Sequence, residues 1–242
     1  MELKNVDLLA HGANALNAKS AACIAFFSAA ISLSLIVLLH VLEPQYDPSW
    51  RFVSEYAAGP FGWLMQIAFM AMAASFAALA FALRTEVSTR LGRVGLFMLY
   101  SSAFGCAISG IFSMDPIAPL PVRQTMSGSL HGLGSMIGIP TLPIGAMLVT
   151  YCVTRDACWR SSRTRLRVLA NLTWLSLVAM FVCLFAWLSA NGGQFGPEVP
   201  IGWLNRIAVA AYLAWTIMTA ASAAGVAQAR DSGILSPTSI RT

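Results

Sequence analysis

HVLEPQYDPSWRFVSEYAAGPFGW, residues 40–63, is a polar stretch between two long apolar runs of a 242-residue chain. Four charged side chains fall within thirteen consecutive positions of it, although only 10% of the whole chain is charged: Glu43, Asp47, Arg51 and Glu55. Pro44 ends the helix that precedes it, because proline has no backbone N–H to donate and clashes with the preceding turn. The stretch is therefore predicted to be a loop between two helices, here called the first loop.

A short helix is predicted inside the first loop. Asp47 can cap it by accepting a backbone N–H, Pro48 suits its first position, and Gly59 suits its end. Helical spacing places Trp50 and other apolar side chains on one face, and pairs Arg51 with Glu55 four positions later on the other. The segment is thus predicted to be an amphipathic helix of the kind that lies along a membrane surface.

The rest of the chain is too apolar for a soluble protein. Hydrophobic residues make up 57% of it and the mean hydropathy is +0.70, whereas soluble domains are about half apolar and about a quarter charged. Six apolar runs have nearly the ~20 residues that cross a bilayer's hydrocarbon core: 20–42, 61–83, 94–114, 128–150, 166–190 and 203–227. We expect an all-α, polytopic membrane protein, with a six-transmembrane-helix bundle over 20–227 between tails at 1–19 and 228–242.

The basic residues are divided unevenly between alternate loops. Twelve of the fifteen Lys and Arg lie in the two tails and in the loops after the second and fourth runs. Each remaining loop has one arginine: Arg51, Arg123 and Arg206. Because Lys and Arg are retained on the cytoplasmic side, both termini are predicted to be cytoplasmic. These loops also account for the net charge of +5, so no nucleic-acid partner is inferred.

Residues with usable chemistry gather on the predicted outer face. This face receives His40, His131 and five of the ten acidic residues, Glu43, Asp47, Glu55, Asp115 and Glu198. The middle third of each run has no charged residue and no histidine. An ion-coupled transporter is therefore the least favoured function, because ionisable groups near the midplane are typical of that class.

We expect the outer charges to be paired, because unpaired charges beside hydrocarbon are costly. The expected arrangement is one network, formed by Arg51, Arg206, Glu55 and Asp115 around His131.

Three segments carry a resemblance to a known family. They are the first loop with its Glu-Pro, Tyr-Asp-Pro and Ser-Glu elements, GIFSMDP at 110–116, and His131-Gly132. On the basis of these segments the chain resembles the bacterial membrane family known as domain of unknown function 998, and the resemblance covers nearly all of the chain. Ser113 stands where the family motif has proline, whereas Asp115 is retained. The resemblance implies a six-helix protein of the bacterial inner membrane and brings no established activity.

The leading hypothesis is a polar, charged site at the outer, periplasmic face that binds or modifies an anionic lipid headgroup, because guanidinium groups match phosphate and carboxylate. The candidate acid–base residues are His131, Glu55 and Asp115. The candidate binding residues are His40, Glu43, Asp47, Arg51, Ser54 and Arg206. No nucleophile motif such as G-x-S-x-G is present, so the sequence leaves open whether the protein is an enzyme.

The alternative is a non-catalytic protein that binds lipid or a membrane-protein partner and whose outer charges are structural. A zinc site would depend on His40 and His131, with Asp115, Glu43 or Glu55 as a third ligand, whereas a haem would be held by His40 and His131. These histidines lack the H-x-x-x-H spacing of a helical zinc site. The sequence requires no cofactor, and a metal site is not assigned.

Overall fold

The computed structural model describes residues 2–117 and 124–231, and its regular structure there is entirely helical. Six helices are long and apolar enough to cross a membrane: α1 (Glu2–Leu42), α2 (Gly62–Leu83), α3 (Arg90–Ile111), α4 (Met126–Val153), α5 (Arg163–Cys183) and α6 (Ile201–Asp231). A π-helical turn, Leu184–Leu188, extends α5. The prediction of a six-helix, multi-pass membrane protein is confirmed.

Four of the six helices, α1, α3, α4 and α6, are longer than the apolar runs that predicted them. α3 begins at Arg90, where Thr89 accepts a hydrogen bond from the backbone N–H of Gly92 at 3.1 Å, and Thr125 caps α4 in the same way. Polar first turns of this kind are invisible to a count of apolar residues. α1 extends back to Glu2, so the predicted tail at 1–19 is helical from that residue. Arg123 and residues 232–242 of the other tail lie outside the described residues.

Small residues bring α3 and α4 into backbone contact. A Cβ atom at Gly105 would lie 2.5 Å from backbone atoms of both Gly134 and Gly138. The Ser102 hydroxyl donates to the carbonyl of Gly138 at 2.9 Å. Small residues at four-residue spacing allow helix backbones to approach this closely.

Two hydrogen bonds join α6 to α4 within the bundle. Pro143 has no N–H, so it cannot donate to the carbonyl of Ile139 one turn earlier. The hydroxyl of Tyr212 donates to that carbonyl at 3.0 Å, and therefore replaces the helix bond that the proline removes. Trp215 Nε1 donates to the Thr150 hydroxyl at 3.0 Å.

The alternating direction of the helices places the loops at two ends of the bundle. The end that carries the first loop, together with the links 112–125 and 189–200, is called the first-loop face. The opposite end, with residues 84–89 and 154–162, is called the basic face. Arg230 and Glu86 form an ion pair at the basic face, and Trp159 Nε1 donates to the other Glu86 carboxylate oxygen at 3.1 Å.

Candidate functional site at the first-loop face

The first loop folds back onto the ends of the helices. The Asp47 carboxylate accepts hydrogen bonds from the backbone N–H of Ser49 at 2.9 Å and from its hydroxyl at 2.7 Å, which forms a tight turn. The short helix is a 3-10 helix, Val53–Ala58, and begins five residues later than Pro48. The later start follows from Phe52, whose extended backbone separates the turn from the helix.

Two of the three acidic side chains of this loop, Glu43 and Glu55, are buried, although a helix lying on the surface would leave them in solvent. Glu55 has no exposed surface. Its carboxylate accepts from Arg51 Nη1 at 2.7 Å, from the backbone N–H of Phe52 at 3.0 Å and from that of Ile117 at 3.3 Å. A buried carboxylate needs such donors, because a charge without partners is costly away from water. The predicted pair of Arg51 and Glu55 therefore exists, but it points into the protein.

Glu43 joins the two ends of the first loop. Only 1% of it is exposed, and its carboxylate accepts from the backbone N–H of Phe61 at 2.6 Å and from the Gln45 amide. The carboxylate lies against Gly59, where a Cβ atom would collide with it. The absence of a side chain at Gly59 thus allows the loop to close.

Arg206 attaches the start of α6 to the first loop. Its exposure is 9%, and its guanidinium donates to five acceptors: His40 Nε2 at 2.7 Å, the Tyr56 hydroxyl at 2.9 Å, and the carbonyls of Arg51 at 2.6 Å, Gly202 at 3.1 Å and Pro48 at 3.3 Å. No carboxylate of the described residues lies within 4 Å of it. Arg206 is therefore held by neutral groups of the protein itself.

His40 uses both of its ring nitrogens. Because Nε2 accepts from Arg206, the proton is on Nδ1, which donates to the Ile36 carbonyl at 2.7 Å. A histidine in this state has no free nitrogen lone pair for zinc or haem iron. In the described part of the chain, no three His, Cys, Asp or Glu side chains come together as metal ligands.

His131 lies at the start of α4 and contacts the end of α3. It is 3% exposed, and Nδ1 lies 3.2 Å from the Ser109 carbonyl oxygen and 2.9 Å from that of Phe112. Since both partners are acceptors, Nδ1 carries the proton and Nε2 is a bare acceptor. Nε2 is buried and has no hydrogen-bond partner among the described residues. The ring packs edge-on against Phe69, with centroids 5.6 Å apart.

Asp115 connects the end of α3 to the start of α4. Its two carboxylate oxygens accept from the backbone N–H and the hydroxyl of Thr125, both at 2.8 Å. Three members of the network expected around His131 are linked, because Arg206 donates to the Arg51 carbonyl and Arg51 pairs with Glu55. The expectation that Asp115 joins them and that they surround His131 was wrong, because Asp115 bonds Thr125 and His131 bonds backbone carbonyls at the end of α3.

The remaining candidates have separate positions. The Ser54 hydroxyl donates to the Met114 sulfur at 2.9 Å, which is a contact between the first loop and the 112–125 link. Glu198 is exposed, and Arg123 is outside the described residues.

Sequence reasoning missed the partners through which α6 holds the first loop. Asn205 accepts the backbone N–H of Val53 at 3.0 Å, and the backbone N–H of Gly202 donates to the Ser49 carbonyl at 3.1 Å. A Cβ atom at Gly202 would lie 2.5–2.8 Å from backbone atoms of residues 48, 50 and 51. The signal available in the sequence was Gly202, a glycine that closely precedes Asn205 and Arg206 at the start of the last apolar run.

Exposed tryptophans surround the first-loop face. Trp63, Trp187 and Trp203 lie at the ends of α2, α5 and α6 on this face, and each is exposed. Tryptophan is enriched at the level of lipid headgroups. Trp50, within the first loop, lies under the Arg51 guanidinium, whose central carbon is 4.2 Å from the ring centroid. The Arg51 side chain thus lies on the same face of the bundle as the exposed tryptophans.

A cavity of about 80 Å³ lies beneath the first loop. Its lining is mostly apolar, with polar groups from Ser54, Ser109, Ser135 and Asn205. This volume is smaller than the ~150 Å³ of an engineered cavity that binds benzene, so this cavity has no room for a lipid chain.

The model of one protein family, described as "Protein of unknown function (DUF998)", matches residues 24–222. The match runs from α1 to α6 and includes the whole first loop, Asp115, His131 and Arg206. No curated protein and no solved structure matches the chain.

Proposed function

The chain belongs to the DUF998 family of proteins of unknown function, and from this premise we propose that it binds the headgroup of an anionic lipid at its first-loop face. Arg51 is the contact residue. Binding rather than catalysis is the function that the geometry supports best.

The observation that carries this proposal is the set of unused donors on Arg51. Its Nη1 pairs with Glu55 and its Nε is buried, so neither is available to a ligand at the surface. Nη2 makes no hydrogen bond in the described part of the chain and is the free donor. The side chain is 17% exposed, so it reaches the surface. A guanidinium with free N–H groups matches the oxygens of a phosphate or carboxylate.

Arg206 differs from Arg51 in this respect, because the protein itself supplies its acceptors. The proposal therefore does not use two converging arginines. It uses one arginine, stacked on Trp50, at the end of the bundle where three helix ends carry exposed tryptophans, a residue that is enriched at headgroup level.

The positions of the candidate acid–base residues favour binding without chemistry. His131 contacts the end of α3, Asp115 is bonded to Thr125, and Glu55 is saturated by Arg51 and two backbone N–H groups. General acid–base catalysis needs such groups within hydrogen-bond reach of one substrate atom. These three side chains have no partner in common.

The test replaces Arg51 by lysine. Arg51→Lys keeps a cation for Glu55 but removes the planar fork. We expect its affinity for phosphatidylglycerol, measured by native mass spectrometry of the purified protein, to fall about tenfold, as loss of a charge-assisted bond predicts. Arg93→Lys, on an exposed arginine at the basic face, is the matched control. Equal affinities of the two variants would overturn the proposal.

A paired replacement separates binding from folding. Arg51→Leu alone leaves Glu55 buried without its cation, and should cost about 3 kcal/mol of stability. Arg51→Leu with Glu55→Leu should restore the thermal stability and yet lose the preference for phosphatidylglycerol over phosphatidylethanolamine. A paired variant that kept this preference would exclude Arg51 as the contact.

A further inference from the structure

We propose that the basic face has a lipid site of its own, a groove between α5 and α6 that takes the phosphate headgroup of an anionic phospholipid. The groove has a volume of about 400 Å³, within the usual range for small-molecule sites. Its principal lining residues are Ser161, Ser162, Arg165, Met218, Ser222 and Val226. It lies at the opposite end of the bundle from Arg51.

One wall of the groove is polar and has unused hydrogen-bonding groups. Arg165 is exposed, and its only hydrogen bond in the described part of the chain is from Nη2 to the Ser161 carbonyl at 3.3 Å. The hydroxyls of Ser162 and Ser222 lie 2.8 Å apart, which joins the two helices. The Ser222 hydroxyl is not a free donor, because it donates to Ser162 Oγ or to the Met218 carbonyl, both at 2.8 Å. Arg165 therefore keeps free N–H groups beside the hydroxyl of Ser161, and N–H and O–H groups are the donors that a phosphate requires.

The charge around the groove is mostly positive. Residues 155–167 contain five arginines, and Asp156 is the single acid among them. The Asp156 carboxylate accepts the backbone N–H of Cys158 at 2.8 Å. Glu86, from a neighbouring loop, already pairs with Arg230. No acidic side chain lines the groove, so an anion is the ligand that complements it.

The apolar wall selects a lipid over a free phosphate. Met218, Ala221 and Val226 continue the groove along α6, where the acyl chains of a bound lipid would lie. The arginine count predicts that this face is cytoplasmic, and the cytoplasmic leaflet carries anionic lipids that basic residues attract.

Gly225 offers a test that leaves every charge in place. It lines the groove, and a Cβ atom there would meet nothing within 4 Å. Gly225→Leu therefore fills open space without a clash, and leucine is a better helix former than glycine. Arg165→Ala removes the cation, and Arg93→Ala removes an exposed arginine of the same face as the control.

The measurement is native mass spectrometry of the full chain with phosphatidylglycerol, carried out in the Arg51→Leu, Glu55→Leu background, in which the first-loop face is expected to have lost its preference for this lipid. We expect Arg165→Ala and Gly225→Leu each to weaken binding about tenfold, and Arg93→Ala to change it less than twofold. Soluble glycerol phosphate should bind far more weakly than the lipid.

Three results would overturn the proposal. The first is an affinity of Arg165→Ala equal to that of Arg93→Ala. The second is undiminished binding in Gly225→Leu. The third is a dimer that Gly225→Leu abolishes, because a second copy of the chain would then occupy the groove.

Discussion

Arg206 Nε donates to His40 Nε2 at 2.7 Å, across 166 positions of the chain, and so joins the last helix to the first. The bond requires a neutral His40 whose proton is on Nδ1. Through its other N–H groups the same buried guanidinium also bonds the first loop and α6, so it connects α1, the first loop and α6. Arg206 is therefore a structural residue, and its replacement should be measured as a change in stability.

We predict that Arg206→Lys lowers the free energy of unfolding by about 3 kcal/mol, because an ammonium group cannot serve five dispersed acceptors and leaves buried ones unpaired. Thermal unfolding in detergent checks this, with Arg93→Lys as the control at an exposed site. If both variants unfolded at the same temperature, the structural role of Arg206 would be wrong.

Tyr212→Phe is expected to cost about 1 kcal/mol, the usual value of a buried interhelical hydrogen bond. The cost should nearly vanish in the background Pro143→Ala, because alanine supplies the helix N–H that the Ile139 carbonyl otherwise lacks. A double-mutant cycle on unfolding free energies measures this coupling. Equal losses in both backgrounds would show that the Tyr212 hydroxyl does not replace the missing bond.

The turn at Asp47 should tolerate acid. The backbone N–H and then the hydroxyl of Ser49 lower the pKa of the Asp47 carboxyl from its ordinary value, and Arg206 adds a smaller effect in the same direction. A lowered pKa means that the turn's contribution to stability is present above pH ~4 and is lost as pH falls through the folded pKa. We predict that Ser49→Ala raises the pKa, measured by carbon NMR of the carboxyl. An unchanged midpoint would contradict this.

The orientation can be tested with two single cysteines in a variant without the five native thiols, all of which are free. Glu198→Cys, at the first-loop face, should react with a membrane-impermeant maleimide in intact cells. Arg160→Cys, at the basic face, should react only after permeabilisation, because arginine-rich loops stay in the cytoplasm. The opposite labelling pattern would reverse the predicted topology.

Local features of the sequence were sufficient to predict the membrane-spanning helices and one ion pair. The length of each apolar run predicts a span, and the four-residue spacing predicts the contact between Arg51 and Glu55. That contact is made across the extended backbone of Phe52 rather than along one helix. Spacing therefore identified the right pair through a different local structure.

The burial of the acids and the bonds of Arg206 could not be predicted in this way. Glu43 is covered because Gly59 and Phe61 return to it, and Arg206 finds acceptors on residues more than 150 positions earlier. Periodicity within a helix carries no information about such contacts. His131 is a similar case, since its partners belong to the end of another helix.

Because α6 holds the first loop, the first loop can reach its final structure only after α6 has been synthesised. The Arg51 carbonyl receives its hydrogen bond from a side chain 155 residues later, so the first loop to leave the ribosome is among the last parts to be completed. A nascent chain that stops before α6 inserts leaves His40 Nε2 and the Arg51 carbonyl without their donor. Insertion of the final helix therefore completes the fold at the opposite end of the chain, and a truncated product is recognisable by an unfinished first loop.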